Sequence, residues 1–355
     1  MIPKQQKLLI IIPLFPRNIK EDTVVPFLAQ FFNFFDENYP DLEIHICSLN
    51  YPFKKTTYSY NGITVHTFGN GFENKFKTIV SFVQNIFALL RLQRKHKFNA
   101  VLSIWYHKSA ILGKIIANLF GLRHVTWLQG QDVKKDNNYL KFFSTKKDRL
   151  LTVSAIHKQR LAGNFKNKRI EVANVAIIPK GFPNLNTSLR TYDIIGVGNL
   201  SKLKNFSLFI DVISELKKSN PNIKAVICGG GEEIDMLSKK IIKLGLSEHI
   251  RLMGYLKNSE VRDLLNNSKG YLHTSHFEGN SYAIQEALYS GCQVVSTIAV
   301  EKKINNFYHT TDKTQMIEKL NENLNNFIPK INRERIYDPS ETAQVIYKSL
   351  FESID

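Results

Sequence analysis

Short apolar runs rich in β-branched residues alternate along the chain with stretches whose apolar positions recur every three or four residues. The first kind predicts strands and the second predicts amphipathic helices. In the first half, strands are expected at 8–14, 42–49, 63–68, 100–105, 124–128 and 150–154, with helices at 24–35, 75–97, 108–120 and 155–164. Several strands are continuous apolar runs, as in Leu8-Leu9-Ile10-Ile11-Ile12, which marks parallel strands covered on both faces. Lys4 and Lys7 ahead of that run look like the start of a secretory signal. But Pro13 interrupts it and Phe15-Pro16-Arg17 replaces a small-residue cleavage site, so 8–14 is read as the first buried strand. Residues 179–190, Pro-Lys-Gly-Phe-Pro-Asn-Leu-Asn-Thr-Ser-Leu-Arg, lack periodicity and read as a linker. The pattern then restarts, with strands at 193–197, 224–228, 250–253, 270–274 and 293–297 and helices at 203–218, 232–244, 259–267, 279–289, 313–325 and 340–353. Two α/β domains are expected, 1–182 and 190–335, with ligands bound at the carboxyl ends of strands in a cleft between them.

Composition adds bounds. The chain has 355 residues, 43% hydrophobic and 22% charged, which excludes a disordered chain, a collagen-like repeat and a coiled coil and allows two cores. No apolar run is long enough to cross a bilayer. Cys47, Cys228 and Cys292 have neither disulfide-framework nor zinc-ribbon spacing and read as reduced core thiols.

Charge changes the picture more. Residues 1–190 hold 28 Lys+Arg against 11 Asp+Glu, and residues 191–355 hold 20 against 20, so the whole net charge of +17 lies in the first half. Such a one-sided field attracts an anionic partner: nucleic acid, an anionic membrane surface or a phosphorylated substrate. The apolar and aromatic stretch 75–97 ends in Arg91, Arg94, Lys95 and Lys97. It reads either as a membrane-surface helix or as a helix packed on the first sheet with a basic end that its dipole favours.

The densest chemistry lies at residues 273–288, His-Thr-Ser-His-Phe-Glu-Gly-Asn-Ser-Tyr-Ala-Ile-Gln-Glu-Ala-Leu. Glu278 precedes an expected helix start at Gly279, and Glu286 follows about two turns later. The backbone N–H groups of Gly279, Asn280, Ser281 and Tyr282 would suit a phosphate, with both carboxylates accepting from sugar or ribose hydroxyls. A capping Glu278 and a solvated Glu286 would fit the same spacing. A second signal, Gly196-Val-Gly-Asn-Leu-Ser-Lys-Leu-Lys, links a strand to a helix. Its glycines permit a tight turn, and Lys202 or Lys204 could reach a phosphate. Gly229-Gly230-Gly231 is a further close-approach turn.

Taken together and in order, these segments resemble the donor domain of the retaining family-4 glycosyltransferases. Val197-Gly-Asn-Leu with Lys204 is similar to the family's V-G-R-L…K loop, and Val226-Ile-Cys-Gly-Gly-Gly to its glycine turn. Arg251-Leu-Met-Gly-Tyr-Leu, Glu278…Glu286 and Gly291-Cys-Gln-Val-Val resemble its V-x-F-x-G segment, its E-x7-E motif and its G-x-P-V-V segment. The first half resembles the acceptor domain more weakly, through Trp105-Tyr-His-Lys, Thr126-Trp-Leu-Gln-Gly-Gln-Asp and Asp148-Arg-Leu-Leu-Thr-Val-Ser. Residues 340–353 resemble the C-terminal helix that returns to the first domain.

The resemblance implies the GT-B fold, α/β with two Rossmann-like domains facing across a cleft. It implies a retaining, metal-independent, hexosyltransferase-type enzyme that takes a nucleotide-sugar as donor substrate and has no cofactor. By the same resemblance Lys204 neutralises the donor diphosphate, Glu286 holds the ribose and Glu278 the transferred sugar. Gly198, Asn199, Lys202 and Gly279–Tyr282 surround them, and the backbone at Tyr255-Leu256 meets the base. No Asp-x-Asp occurs, in keeping with that fold. Asn199 stands where the family has arginine, and Lys202 is the candidate replacement. Gln129 replaces a histidine and cannot act as a base, which leaves His107 or the donor phosphate to take the acceptor proton. The acceptor is expected to be a glycan or a lipid-linked molecule in bacterial cell-surface polysaccharide biosynthesis. The expected location is cytoplasmic, peripheral on the inner face of the plasma membrane, with an anionic surface as partner and no nucleic acid. The alternative is a catalytically weak or nucleic-acid-binding scaffold that uses the basic half. A dinucleotide-dependent oxidoreductase would need glycines after the first strand, and Pro16-Arg-Asn-Ile-Lys-Glu-Asp stands there.

Overall fold

The computed structural model describes residues 6–71, 75–143, 145, 148–164, 169–188, 190–330 and 332–352. It divides into two compact units, Met1–Ile178 with Tyr337–Asp355, and Pro179–Ile336.

The first unit contains β1 (Gln6–Leu14), α1 (Pro26–Asn38), β2 (Leu42–Tyr51), β3 (Thr56–Tyr60), β4 (Ile63–Thr67), α2 (Lys75–His96) and β5 (Ala100–Ile104). It continues through α3 (Lys108–Phe120), β6 (Arg123–Leu128), α4 (Asn138–Phe143), β7 (Arg149–Thr152), α5 (Ala155–Asn164) and β8 (Arg169–Val172). The strand order is β3-β4-β2-β1-β5-β6-β7-β8, parallel except for the β3–β4 pair. The run at Leu8–Ile12 is wholly buried in β1, between β2 and β5. Parallel strands need covering on both faces, and this is why the run does not alternate.

Three elements of this unit were not expected. β3 was absent from the sequence reading because Thr56-Thr-Tyr-Ser-Tyr is polar and mostly exposed; Asn61-Gly62, with positive φ at both residues, turns it back onto β4. β8, also unexpected, has four residues at the opposite edge, and α4 has six.

The second unit contains β9 (Tyr192–Val197), α6 (Phe206–Ser219), β10 (Ala225–Cys228), α7 (Ile234–Lys243), β11 (Ile250–Leu252), α8 (Asn258–Asn266) and β12 (Ser268–His273). It ends with α9 (Tyr282–Tyr289), β13 (Gln293–Ser296), β14 (Phe307–His309) and α10 (Lys313–Asn325). The sheet runs β11-β10-β9-β12-β13-β14, all parallel. Counted from β9 this is 3-2-1-4-5-6, the doubly wound order of Rossmann folds. Its core joins Phe206, Phe209, Ile210 and Ile213 of α6 to Ile194, Ile227, Leu272 and Val295 of the sheet. Each such buried side chain contributes about 1.5–3 kcal/mol.

The stretch expected to be a linker belongs to this unit. Asn186 Nδ2 donates to Asn267 Oδ1 at 2.9 Å, and Asn266 Nδ2 to Asn184 O at 2.6 Å. Buried Arg190 donates to Ser268 O at 2.7 Å and Ser290 O at 2.8 Å. Low periodicity here reflects side chains that bond long-range rather than a free connector.

α11 (Pro339–Phe351) rejoins the first unit and packs on β5 and β6. Asp338 caps it, Thr342 Oγ1 donates to Asn174 O at 2.8 Å, and the Tyr347 ring stacks on Tyr39 at 4.4 Å. All three cysteines are buried and free, and burial pushes the Cys228 and Cys292 thiols up to about 12.

Candidate functional site

In the second unit the candidate residues gather at the carboxyl ends of β9–β12. The loops there are stitched together by main-chain bonds. Gly198 N donates to Cys228 O at 3.0 Å, Leu200 N to Gly230 O at 2.9 Å, and Gly229 N to Gly254 O at 2.8 Å. A Cβ at Gly229 would overlap Gly198 O, and one at Gly231 would overlap Leu200 O. Only glycine lets these loops close together. Gly196 plays a different part from the turn-former expected. It lies inside β9, where a Cβ would crowd Phe206 and Phe209, so it lets α6 pack close to the strand.

The loop after β9 delivers Lys204. Lys204 N donates to Ser201 O at 2.9 Å, and Asn205 at φ 51° begins α6, a left-handed position that asparagine tolerates. The stem of Lys204 lies over Gly198, and its ammonium pairs with Glu278 Oε1. Ser275 Oγ donates to the same oxygen at 3.1 Å, with His273 Nε2 at 3.6 Å. Burial works to raise the Glu278 carboxyl, but the His273 hydrogen bond and the Lys204 charge outweigh it and hold the group at about 2. His273, deeply buried, is lowered by that burial against the pull of Glu278. Thr274 Oγ1 to Lys204 O at 2.9 Å and His276 N to Leu203 O at 2.9 Å tie the β9 and β12 loops together.

The helix after Glu278 starts later than expected. Ser281 is its N-cap and accepts from Ile284 N, and Tyr282 is its first residue. Gly279 and Asn280 therefore lie in the preceding loop, not on the helix, and Asn280 Oδ1 accepts from Gln285 Nε2 at 2.8 Å. Glu286 is buried rather than solvated. Its Oε1 accepts from Asn258 Nδ2 at 3.0 Å and from Arg262 Nε at 3.2 Å. Burial pushes its carboxyl up against the pull of Arg262. Arg262 also lies 4.0 Å over the Phe182 ring and donates to Lys180 O. Tyr255 is 70% exposed and lies against Gly230, where a Cβ would meet its ring; Leu256 beside it is half-buried. Asn199 and Lys202 are exposed on the β9 loop, outside the Lys204–Glu278 cluster. Sequence reasoning missed Arg262, Asn258 and the backing role of His273. The i, i+4 spacing of Asn258 and Arg262 on one helix face was the available signal.

His107 belongs to the first unit, at the carboxyl end of β5, exposed and edge-on to the Tyr139 ring at 5.5 Å. Trp105 before it is left-handed, φ 61°, a strain on the order of 1 kcal/mol. Buried Asp132 steadies that turn: Oδ2 accepts from Tyr106 N at 3.0 Å, and Oδ1 from Gln129 N at 3.1 Å and Gly130 N at 2.9 Å. Both polar atoms of the Gln129 amide are buried and unpaired.

Residues 179–327 match the family model of glycosyl transferases group 1. Among curated proteins, the poly(glycerol-phosphate) alpha-glucosyltransferase of Bacillus subtilis is 32% identical over 32% of this chain and 16% of its own length. The phosphatidylinositol N-acetylglucosaminyltransferase gpi3 subunit of Schizosaccharomyces pombe is 26% identical over 45% and 36%. This chain thus aligns with well under two thirds of either relative. Sucrose-phosphate synthase of Thermosynechococcus elongatus superposes at TM-score 0.70, with 10% identity over 98% of this chain and 96% of that one. HepE of Anabaena, solved with UDP and glucose, superposes at TM-score 0.67, with 14% identity over 98% and 96%. Residues 179–327 thus resemble the glycosyl transferases group 1, and the chain has the GT-B fold of Rossmann-like units.

Proposed function

We propose that the chain is a retaining, metal-independent glycosyltransferase that moves a hexose from a nucleotide-sugar to a glycan or lipid-linked acceptor. The observation that carries this reading is the second unit's site. Lys204 pairs with Glu278 at the carboxyl ends of β9 and β12, Arg262 and Asn258 hold Glu286 on the helix that follows, and glycine loops close beside them. In a 3-2-1-4-5-6 sheet this is the switch point, where ligands bind.

The donor diphosphate takes the Lys204 ammonium, and the sugar hydroxyls take the Glu278 oxygens. As the bond from the anomeric carbon to phosphate oxygen breaks, its electron pair stays on the leaving diphosphate, where Lys204 stabilises the growing charge. Glu286, clamped by Arg262 and Asn258, holds the ribose hydroxyls. Tyr255, exposed over Gly230, offers a face for the base. Ser281 and Tyr282 start the helix whose N-terminus favours the phosphate, with Gly279 and Asn280 in the loop beside it. Lys202 supplies the second phosphate contact that exposed Asn199 lacks. His107 or the leaving phosphate takes the acceptor proton.

The relatives' names support a phosphate-rich or lipid acceptor: one glucosylates poly(glycerol-phosphate) and another is a phosphatidylinositol glycosyltransferase subunit. That agrees with a role in surface-polysaccharide synthesis at the inner face of a membrane. Among the described residues no helix is long and apolar enough to cross a bilayer. α2 nevertheless turns Ile79, Val80, Val83 and Phe87 outward and buries Ser81, Asn85 and Gln93. An apolar outer face ending in Arg91, Arg94 and Lys95 suits peripheral contact with anionic lipid.

Thermal unfolding with UDP, GDP, CMP and their sugar conjugates tests the donor site. One nucleotide family should raise the midpoint, by about 2.7 kcal/mol of stabilisation at 100-fold over its Kd. Glu286→Gln, folded by circular dichroism, should lose most of that shift. No shift with any nucleotide would overturn the reading in favour of a catalytically weak scaffold.

A further inference from the structure

Three histidines meet on the first unit, none of them given a role above. His45 sits on β2 and His66 on β4; the register pairs His45 with Thr64 and Cys47 with His66, so both rings point from the same sheet face as diagonal neighbours. His96 is the last residue of α2, which packs on that face. Gln93 fixes it there by closing the following turn, accepting from Phe98 N at 3.1 Å and donating to Phe98 O at 3.2 Å. One ring nitrogen from each histidine lies within 4.8 Å of the other two.

The hydrogen bonds already sort the ring nitrogens. His45 Nε2 lies 2.7 Å from Glu43 Oε1, so its proton belongs there and Nδ1 keeps its lone pair. That lone pair faces His66 Nε2 at 3.1 Å, while His66 Nδ1 lies 3.1 Å from Thr57 Oγ1. His96 Nε2 is buried and has no partner. A ligating histidine usually gives its other N–H to a carboxylate or an oxygen, and Glu43 and Thr57 stand in those places. Two nitrogens bound tetrahedrally to zinc at about 2.1 Å lie about 3.4 Å apart, close to the His45–His66 separation. The third ring needs only a small inward shift of a helix end. His66 can carry its single proton on Nδ1, toward Thr57, so binding requires no net proton loss from the cluster.

We propose that His45, His66 and His96 form a site for a divalent transition-metal ion of the zinc class, with water in the fourth position. Imidazole suits zinc, copper, nickel and cobalt rather than magnesium or calcium. His45 and His66 are buried, and half-buried His96 leaves a way in. The cations Lys7, paired with Glu43 at 3.0 Å, and Lys95 flank the cluster and temper its affinity. The ion would pin the carboxyl end of α2 to the sheet near its edge.

The full chain, stripped with EDTA and dialysed, is titrated with Zn2+ against a chromophoric chelator and with Co2+ by visible absorption. One equivalent of Zn2+ should bind and raise the thermal midpoint, whereas Mg2+ should do neither. His96→Ala, at a half-buried helix end, and His66→Asn should each weaken binding by at least about tenfold and abolish the zinc shift. Circular dichroism in EDTA checks that each variant is folded, and whichever of the two folds decides the matter. No uptake by the parent chain would overturn the site. So would unchanged affinity in a folded variant, since the ion would then sit elsewhere.

Discussion

Gly229 and Gly230 are adjacent, and the space around them differs. A methyl group on Gly229 would overlap the Gly198 carbonyl at a φ of 139°, whereas one on Gly230 would press only on the exposed ring of Tyr255, which can swing. Gly229→Ala should therefore lose at least about 2 kcal/mol of stability. Gly230→Ala should stay within about 0.5–1 kcal/mol yet weaken nucleotide binding if Tyr255 supports the base. Calorimetry and nucleotide titration of the pair check this; equal losses of stability would contradict the geometry. At this scale Lys204, Glu278 and Glu286 were legible because they stand in one ordered set of motifs. Arg262, Asn258 and the three-histidine cluster were not, because their partners come from distant segments. His45 and His66 are polar residues inside apolar runs, a sign that is read only after the strands are paired.

Among the elements, α3 lies so close to β5 and β6 that a Cβ on Gly113 would strike Ser103 Oγ and His124 Nε2. His124 Nε2 and Ser103 Oγ are hydrogen-bonded at 2.9 Å beneath the helix, and burial, against the pull of Asp148 and helped by Lys114, lowers the ring to about 4. Its folded value lies below the unfolded value of about 6.5. Above that pH the ring is neutral in both states and its burial costs nothing extra. As the pH falls toward 4 the unfolded chain takes up a proton that the folded chain refuses, and stability drops by about 1.4 kcal/mol per unit, up to about 3 kcal/mol. Urea midpoints between pH 7 and pH 4 should show a shallower decline in His124→Gln than in the parent; parallel curves would refute the assignment. Strand cores were legible from apolar runs, but ends and edges were not. β3, β8 and β14 are short and β3 largely polar, and α9 begins three residues late because Ser281, not Glu278, makes the cap.

Over the whole molecule the positive excess lies in residues 1–190, which include α2 with its outward Ile79, Val83 and Phe87. Proposed contact with an anionic bilayer predicts co-sedimentation with phosphatidylglycerol vesicles at low salt. Binding should fall steeply as the Debye length shrinks from about 30 Å at 0.01 M to about 8 Å at 0.15 M salt. Phe87→Glu should weaken it without loss of fold; indifference to vesicles at low salt would refute it. The two-part α/β plan was legible in the restart of the strand–helix pattern. The boundary was not, because the stretch 179–190 looks like a connector yet its asparagines and Arg190 are held by the second unit.

The return of α11 to the first unit has a consequence for synthesis. Residues 179–336 form an insertion within the other unit, contiguous in sequence, while the first unit is completed only by residues after 336. A ribosome moving toward the carboxyl end therefore delivers every strand of the first sheet, then the whole second unit, and only then the helix that covers β5 and β6. During that interval the apolar ground later occupied by Ala343, Ile346 and Leu350 stands open. The inserted unit can fold as it emerges, but its host must wait, so a nascent chain stalled before α11 exposes the surface that chaperones recognise.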